Sequence, residues 1–107
     1  CFCVLANRYI RNLIPHETLI HHCSNNLVIG TDSLASNHSL SILNELQALQ
    51  QLYPNVSLEI FLKAATLNGA KALGIDDRMG TFTKNQKPGI MLLKNLDSIF
   101  NLLILNH

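Results

Sequence analysis

The tightest constraint in this chain is a four-residue apolar run, Leu27-Val28-Ile29-Gly30, which stops abruptly at Thr31-Asp32-Ser33 and gives way to small and polar residues. A short, continuously apolar run of this kind suits a strand covered on both faces. Upstream, "CFCVLANRYI" (1–10) reads as β-rich. Pro15 then opens "PHETLIHHCS", a short helix with Glu17 in its first turn, where the helix dipole favours a carboxylate. Asn25-Asn26 breaks that helix before the apolar run begins. Strand, helix, strand in this order is a βαβ unit, with parallel strands and a right-handed crossover, so the fold class is α/β.

Two further helices follow. Ser39 is placed to cap one in which Leu43, Leu46, Leu49 and Leu52 recur every third residue beside Ile42 and Tyr53, and Pro54-Asn55 ends it. Ser57 caps the next, where Leu58, Phe61, Leu62, Ala65, Gly69, Ala72 and Leu73 form one stripe and Gly74 supplies the stop. Small residues in that stripe imply close packing against a neighbour. From Gly80 the pattern turns extended: "TFTKNQKPG" predicts a polar hairpin or turn, and "IMLLKN" (90–95) and "IFNLLIL" (99–105) predict two strands.

With 107 residues, 48% of them hydrophobic, the chain can build one core but scarcely two. Only 14% are charged and the net charge is +1, which leaves no basic footprint for nucleic acid and directs attention to a site. The longest apolar runs fall well short of the roughly 20 residues of a membrane helix, so no membrane partner is expected. The start on "CFCVL", without Met or leader, looks like a chain entered in its middle. Cys1, Cys3 and Cys23 are an odd count; the C-x-C pair shares one strand face and cannot close a disulfide, so buried reduced thiols and a cytoplasmic location are expected.

In parallel α/β folds the reacting groups stand where strands end at their C-terminal face, and Asp32 stands at such a place. The alternative is that its side chain caps a turn in a non-catalytic α/β domain that acts by packing with a partner chain. "HETLIH" invites comparison with the H-E-x-x-H zinc helix, but His16 and His21 are five apart and point about 140° away from each other. His16, His21 and His22 therefore read as solvent-side residues.

"IGTDSLASNHSLSILNELQALQQL" (29–52), "SLEIFLKAATLNGAKALGI" (57–75) and "MGTF" (79–82) together resemble the C-terminal part of the metal-dependent amidohydrolase superfamily. The likeness is to its aminohydrolase and chlorohydrolase branch, deaminases such as those acting on guanine, cytosine or S-adenosylhomocysteine. The most specific element is "GTDS.AS" paired with "ATLNGAKALG" at this separation; "CxxANxYI" from Cys3 is similar to the preceding barrel strand of the family. Two positions depart from the family pattern. Cys3-Val4 stands where Cys-Pro is usual, and Asn85 to Gly89 where Gly-Lys-x-Ala-Asp is usual.

The resemblance implies a fragment of a (β/α)8 TIM barrel. Residues 1 to 53 would be its last two βα units, residues 1–75 the barrel portion with a trailing helix, and residues 76–107 part of a small composite β-domain. It also implies that Asp32 binds a catalytic divalent metal, zinc or iron, and passes the proton of the attacking water to the leaving amine. The family's remaining ligands, a His-x-His pair and two strand-end histidines, have no counterpart here, so the isolated chain is expected to bind no metal and to be inactive. His38, Asn37 and Ser36 on the loop after Asp32, and Asn7 near the end of the first strand, are the candidate contacts to a small heterocyclic or nucleoside-like substrate. Strand edges left without barrel partners predict a homo-oligomer.

Overall fold

The two N-terminal apolar runs pair in parallel, but over a single bridge. In the computed structural model, which describes residues 1–11 and 13–95, the Phe2 N–H donates to Val28 O (2.7 Å), and the Gly30 N–H donates to Phe2 O (3.2 Å). Cys1 and Cys3 flank this bridge from one side, as their i, i+2 spacing predicts. A Cβ on Gly30 would lie 2.9 Å from Cys1 Sγ and 3.2 Å from Cys3 Sγ, so a larger residue there has to displace the two sulfurs. All three thiols are free, and Cys1 and Cys23 are exposed rather than buried.

Beyond Cys3 the expected strand is a helix. Helix α1 (Val4–Ile10) buries Val4 and Ala6, and its N-cap residue Cys3 makes no side-chain cap. Its start is fixed from 40 residues away: the Glu45 carboxylate accepts the Leu5 N–H (3.2 Å), a negative charge at the positive end of a helix. Helix α2 (Glu17–His22) begins two residues after the expected opening at Pro15, with His16 as its N-cap, His16 Nδ1 accepting from the Thr18 N–H, and His16, His21 and His22 are exposed. Asn25-Asn26 lie in the turn that ends it, where the Leu27 N–H donates to Cys23 O (2.7 Å).

Helix α3 (Ile42–Leu52) is capped by Ser41, not Ser39, the Ser41 side chain accepting from the Asn44 N–H. Its buried face runs through Glu45, Leu46, Ala48 and Leu49, with Leu43 and Leu52 at the margins. At its end the Tyr53 hydroxyl donates to Pro15 O (2.6 Å), which ties α3 to the entry of α2; burial pushes the Tyr53 phenol above its ordinary range.

The single helix predicted after Ser57 is two, α4 (Leu58–Ala65) and α5 (Leu67–Ala72), divided at Thr66 (φ −125°, ψ −89°). Thr66 Oγ1 donates back to Leu62 O (2.7 Å), and the Ala64 carbonyl accepts the Ile29 N–H (3.4 Å). The break thus gives the second edge of the bridged segment a partner. Asn68, buried on α5, donates to Ser24 O (3.1 Å) and Leu27 O (2.8 Å), holding the turn that feeds that segment. The helix stop at Gly74 (φ +68°) is a Schellman motif, with the Gly74 N–H on Lys71 O and the Ile75 N–H on Ala70 O.

Close approach by a small residue occurs at a different glycine from the one expected. Around Gly69 the nearest atom to an added Cβ lies 4.0 Å away. At Gly80 (φ +97°) it would meet Ala70 Cβ at 2.9 Å and Leu67 Cα at 3.0 Å. Beyond Gly80 a turn closes at Thr83 to Gln86, and the Gln86 side chain donates to Asp76 O (2.8 Å). No strand forms over residues 90–95, where exposed Ile90, Met91 and Leu92 have no neighbouring strand among the described residues; the run 99–105 lies outside them. The core is built around Phe2, Val4, Ile20, Ile29, Leu46, Leu49, Tyr53, Val56, Phe61 and Ala64. Among the described residues no helix is long and apolar enough to cross a membrane.

Candidate functional site

Two residues beyond the bridge the chain enters the loop from Thr31 to Ser39. Asp32 occupies it with φ +57°, left-handed backbone that Asp and Asn tolerate better than most residues. Ser33 makes the turn that follows: its Oγ accepts the Ala35 N–H (3.3 Å) and its carbonyl accepts both the Ser36 N–H (3.1 Å) and the Ser36 hydroxyl (3.2 Å). The capping role considered for Asp32 therefore falls to its neighbour. Among the described residues the exposed Asp32 carboxylate accepts no hydrogen bond, and its lone pairs are free.

The other candidates are distributed unevenly around it. Ser36 and Asn37 are buried. Asn37 spends both amide hydrogens inside the chain, one on Thr31 O (2.9 Å) and one on Glu45 Oε1 (2.7 Å), while its Oδ1 accepts the Ser39 N–H (3.4 Å). His38 is exposed and meets the Tyr9 ring edge-on, with centroids 6.1 Å apart. A cavity of about 400 Å³ is lined by Leu5, Arg8, Tyr9, Ser36, Asn37 and His38. Asn7 sits half-buried within α1 rather than at a strand end and does not line this cavity; nor does Asp32.

Sequence reasoning missed Arg8 and Tyr9, because it read their segment as strand, and it missed Glu45. The signal for Glu45 was present: a lone acid on the apolar face that carries Leu46 and Leu49. Cys3 was known only as a thiol. Burial pushes it up, a backbone hydrogen bond from Asp32 pulls it down, and the Asp32 and Glu45 carboxylates push it up again, which places all three groups in one neighbourhood. A thiol so placed stays protonated at neutral pH and is no nucleophile.

Asp32 is a hard oxygen donor that suits a divalent ion, yet a catalytic site takes about three protein ligands. Among the described residues no group of three or more His, Cys, Asp or Glu converges.

The profile of the Amidohydrolase family matches residues 1–103. The chain belongs to the amidohydrolase family. Amidohydrolases adopt a (β/α)8 barrel and are generally metal-dependent. Similar proteins include the 5-methylthioadenosine/S-adenosylhomocysteine deaminases of Acetivibrio thermocellus (33% identical over 75 residues, 64% of this chain and 17% of that protein) and Desulforudis audaxviator (37% over 71 residues, 60% and 16%). The deaminase of the same name from Saccharophagus degradans is 32% identical over 80 residues, 68% of this chain and 18% of that protein. The amidohydrolase chain thus spans about a sixth of the length of these curated relatives. No solved structure matches it.

Proposed function

We propose that this chain is the part of a hydrolytic deaminase that carries the last-strand aspartate, Asp32, and that the substrate is a small aminated heterocycle or nucleoside of the 5′-methylthioadenosine kind. The observation that carries the reading is the state of Asp32: an exposed carboxylate at the end of a bridged apolar run, in left-handed backbone, relieved of any capping duty by Ser33. Membership of the amidohydrolase family and the deaminase names of the similar proteins support it.

In this reading Asp32 is one ligand of a divalent metal, zinc or iron, whose other donors lie outside this chain. The ion, when bound, supplies a water acidic enough to lose its proton near neutral pH. Asp32 accepts that proton and returns it to the departing amine nitrogen, the two roles a single carboxylate fills when it faces both the attacking and the leaving group. His38, beside Tyr9 at the open end of the cavity, contacts the substrate, while Ser36 and Asn37 shape the loop and Asn7 supports α1. Residues 1–75 belong to the barrel and 76–107 lead into a small β-domain; bridge edges and the exposed apolar segment 90–92 are covered by further chain or by a second copy.

The test is ammonia release. The full-length gene product, loaded with zinc or ferrous iron, is expected to liberate ammonia from at least one of 5′-methylthioadenosine, S-adenosylhomocysteine, guanine or cytosine. Release of chloride from a chlorinated heterocycle instead would move the protein to the chlorohydrolase side of its branch. Neither product from any of these compounds would overturn the reading.

A further inference from the structure

We infer that Glu45 is a positioning residue for Asp32, acting through Asn37; the inference rests on the reading of Asp32 as the working carboxylate. Glu45 lies on the core face of α3 and is 0% exposed. A carboxylate taken out of water is costly unless its oxygens are bonded, and an aliphatic side chain at this point of the stripe would pack α3 without that cost. Both oxygens are in fact occupied, one by the Leu5 N–H (3.2 Å), the other by Asn37 Nδ2 (2.7 Å). The same amide nitrogen donates its second hydrogen to Thr31 O (2.9 Å), the carbonyl immediately before Asp32.

The consequence is a rigid link from the helix core to the peptide that carries Asp32. Among the described residues no hydrogen bond orients the Asp32 carboxylate itself, so where that carboxylate points depends on its backbone, and its backbone (φ +57°) is held in a sparsely populated region. Ser33 and Ser36 fix the loop on the far side of Asp32; Asn37 and Glu45 fix it on the near side. Glu45 also sets the start of α1, so one buried carboxylate holds the two segments that leave the Phe2–Ile29 bridge, residues 3–5 and 30–32, in a single arrangement.

The experiment compares Glu45→Gln, Asn37→Ala and the exchange Glu45→Gln/Asn37→Asp in the full-length gene product, assayed for deamination at a temperature where circular dichroism shows each to be folded. Glutamine at 45 cannot accept from both Leu5 and Asn37, so one bond is lost. Alanine at 37 removes the bonds to Thr31 O, to Glu45 Oε1 and from the Ser39 N–H, and leaves Glu45 with the Leu5 N–H. In the exchange, the glutamine amide donates to the new aspartate while its oxygen accepts from Leu5, so the helix core is re-satisfied, but Thr31 O has no donor.

Both single changes are expected to lower kcat on the order of 10- to 100-fold with KM unchanged, the scale on which misplacement of a reacting group acts. The exchange is expected to regain the thermal midpoint without regaining kcat. Wild-type kcat in either folded single variant, or recovery of kcat together with the midpoint in the exchange, would show a merely structural role and overturn the inference. So would a rise in KM at constant kcat in Asn37→Ala, which would mark a direct substrate contact. Asp32→Asn, run alongside, separates the two levels: full turnover there sinks the reading of Asp32, whereas an inactive Asp32→Asn beside fully active Glu45 and Asn37 variants sinks only the positioning role.

Discussion

Replacing Asp32 by Asn in the full-length gene product is expected to lower deaminase turnover by about 10²- to 10⁴-fold, roughly 3 to 5 kcal/mol of barrier. Asparagine is the informative substitution because of the backbone. At φ +57° an alanine adds strain of its own, while asparagine tolerates the left-handed region as well as aspartate does and keeps the loop intact. What it removes is the capacity to accept and return a proton. The Ser33 turn and the Asn37 link contain no atom of the Asp32 side chain, so the folded structure and its thermal midpoint are expected to be unchanged. Turnover within a factor of a few of the wild type would mean that the exposed carboxylate is idle and that another group handles the proton.

The second large effect is on stability. Phe61→Ala is expected to cost about 3 to 5 kcal/mol, as large-to-small changes at closed core positions do. Phe61 is wholly buried on α4, its ring 6.3 Å from that of Tyr53 at the end of α3, and Tyr53 in turn holds the entry to α2 through Pro15. Three helices therefore lose support together, which against the 5 to 15 kcal/mol of a typical domain is a large share. Denaturant titration reads the loss. A change below about 1 kcal/mol would show that α3 and α4 do not close on a common core, and kcat per folded molecule should not move, since Phe61 is far in role from the loop of Asp32.

Local signals in the sequence were read correctly where local chemistry decides the structure. Ser57 caps α4, Gly74 ends α5, Asn25-Asn26 close the turn after α2, and the two apolar runs around Phe2 and Ile29 pair in parallel. Two of the failures share a physical cause, which is that a distant group overrides the local pattern. Val4 to Ile10 has the apolar density of a strand but starts a helix because a carboxylate 40 residues away takes the Leu5 N–H. The Leu58 to Leu73 stripe has one helical period but two helices, because Thr66 turns back on Leu62 and the freed Ala64 carbonyl is claimed by Ile29. Ile90 to Asn95 alternates too little and finds no partner strand among the described residues.

The site was legible to the same degree. Asp32 stands out because an apolar run ends in a carboxylate, but that pattern alone leaves a turn cap equally open, and it is the resemblance to the amidohydrolases that favours a working group. That Asn37 turns inward could not be read, since its two acceptors, Thr31 O and Glu45 Oε1, become neighbours only once α3 packs beneath the loop. His38 was one of several loop polar residues in the sequence; its exposure beside Tyr9 is a product of α1 being a helix.

The central claim is that Asp32 takes part in the chemistry rather than in the folding of its own loop. Anomalous diffraction at the metal absorption edge, on crystals of the full-length gene product loaded with zinc, tests it most directly. The account predicts a peak at coordination distance, about 2.0 to 2.2 Å, from an Asp32 carboxylate oxygen. A fully ligated metal whose donors all lie elsewhere, with the Asp32 side chain turned back to cap the loop, would contradict it.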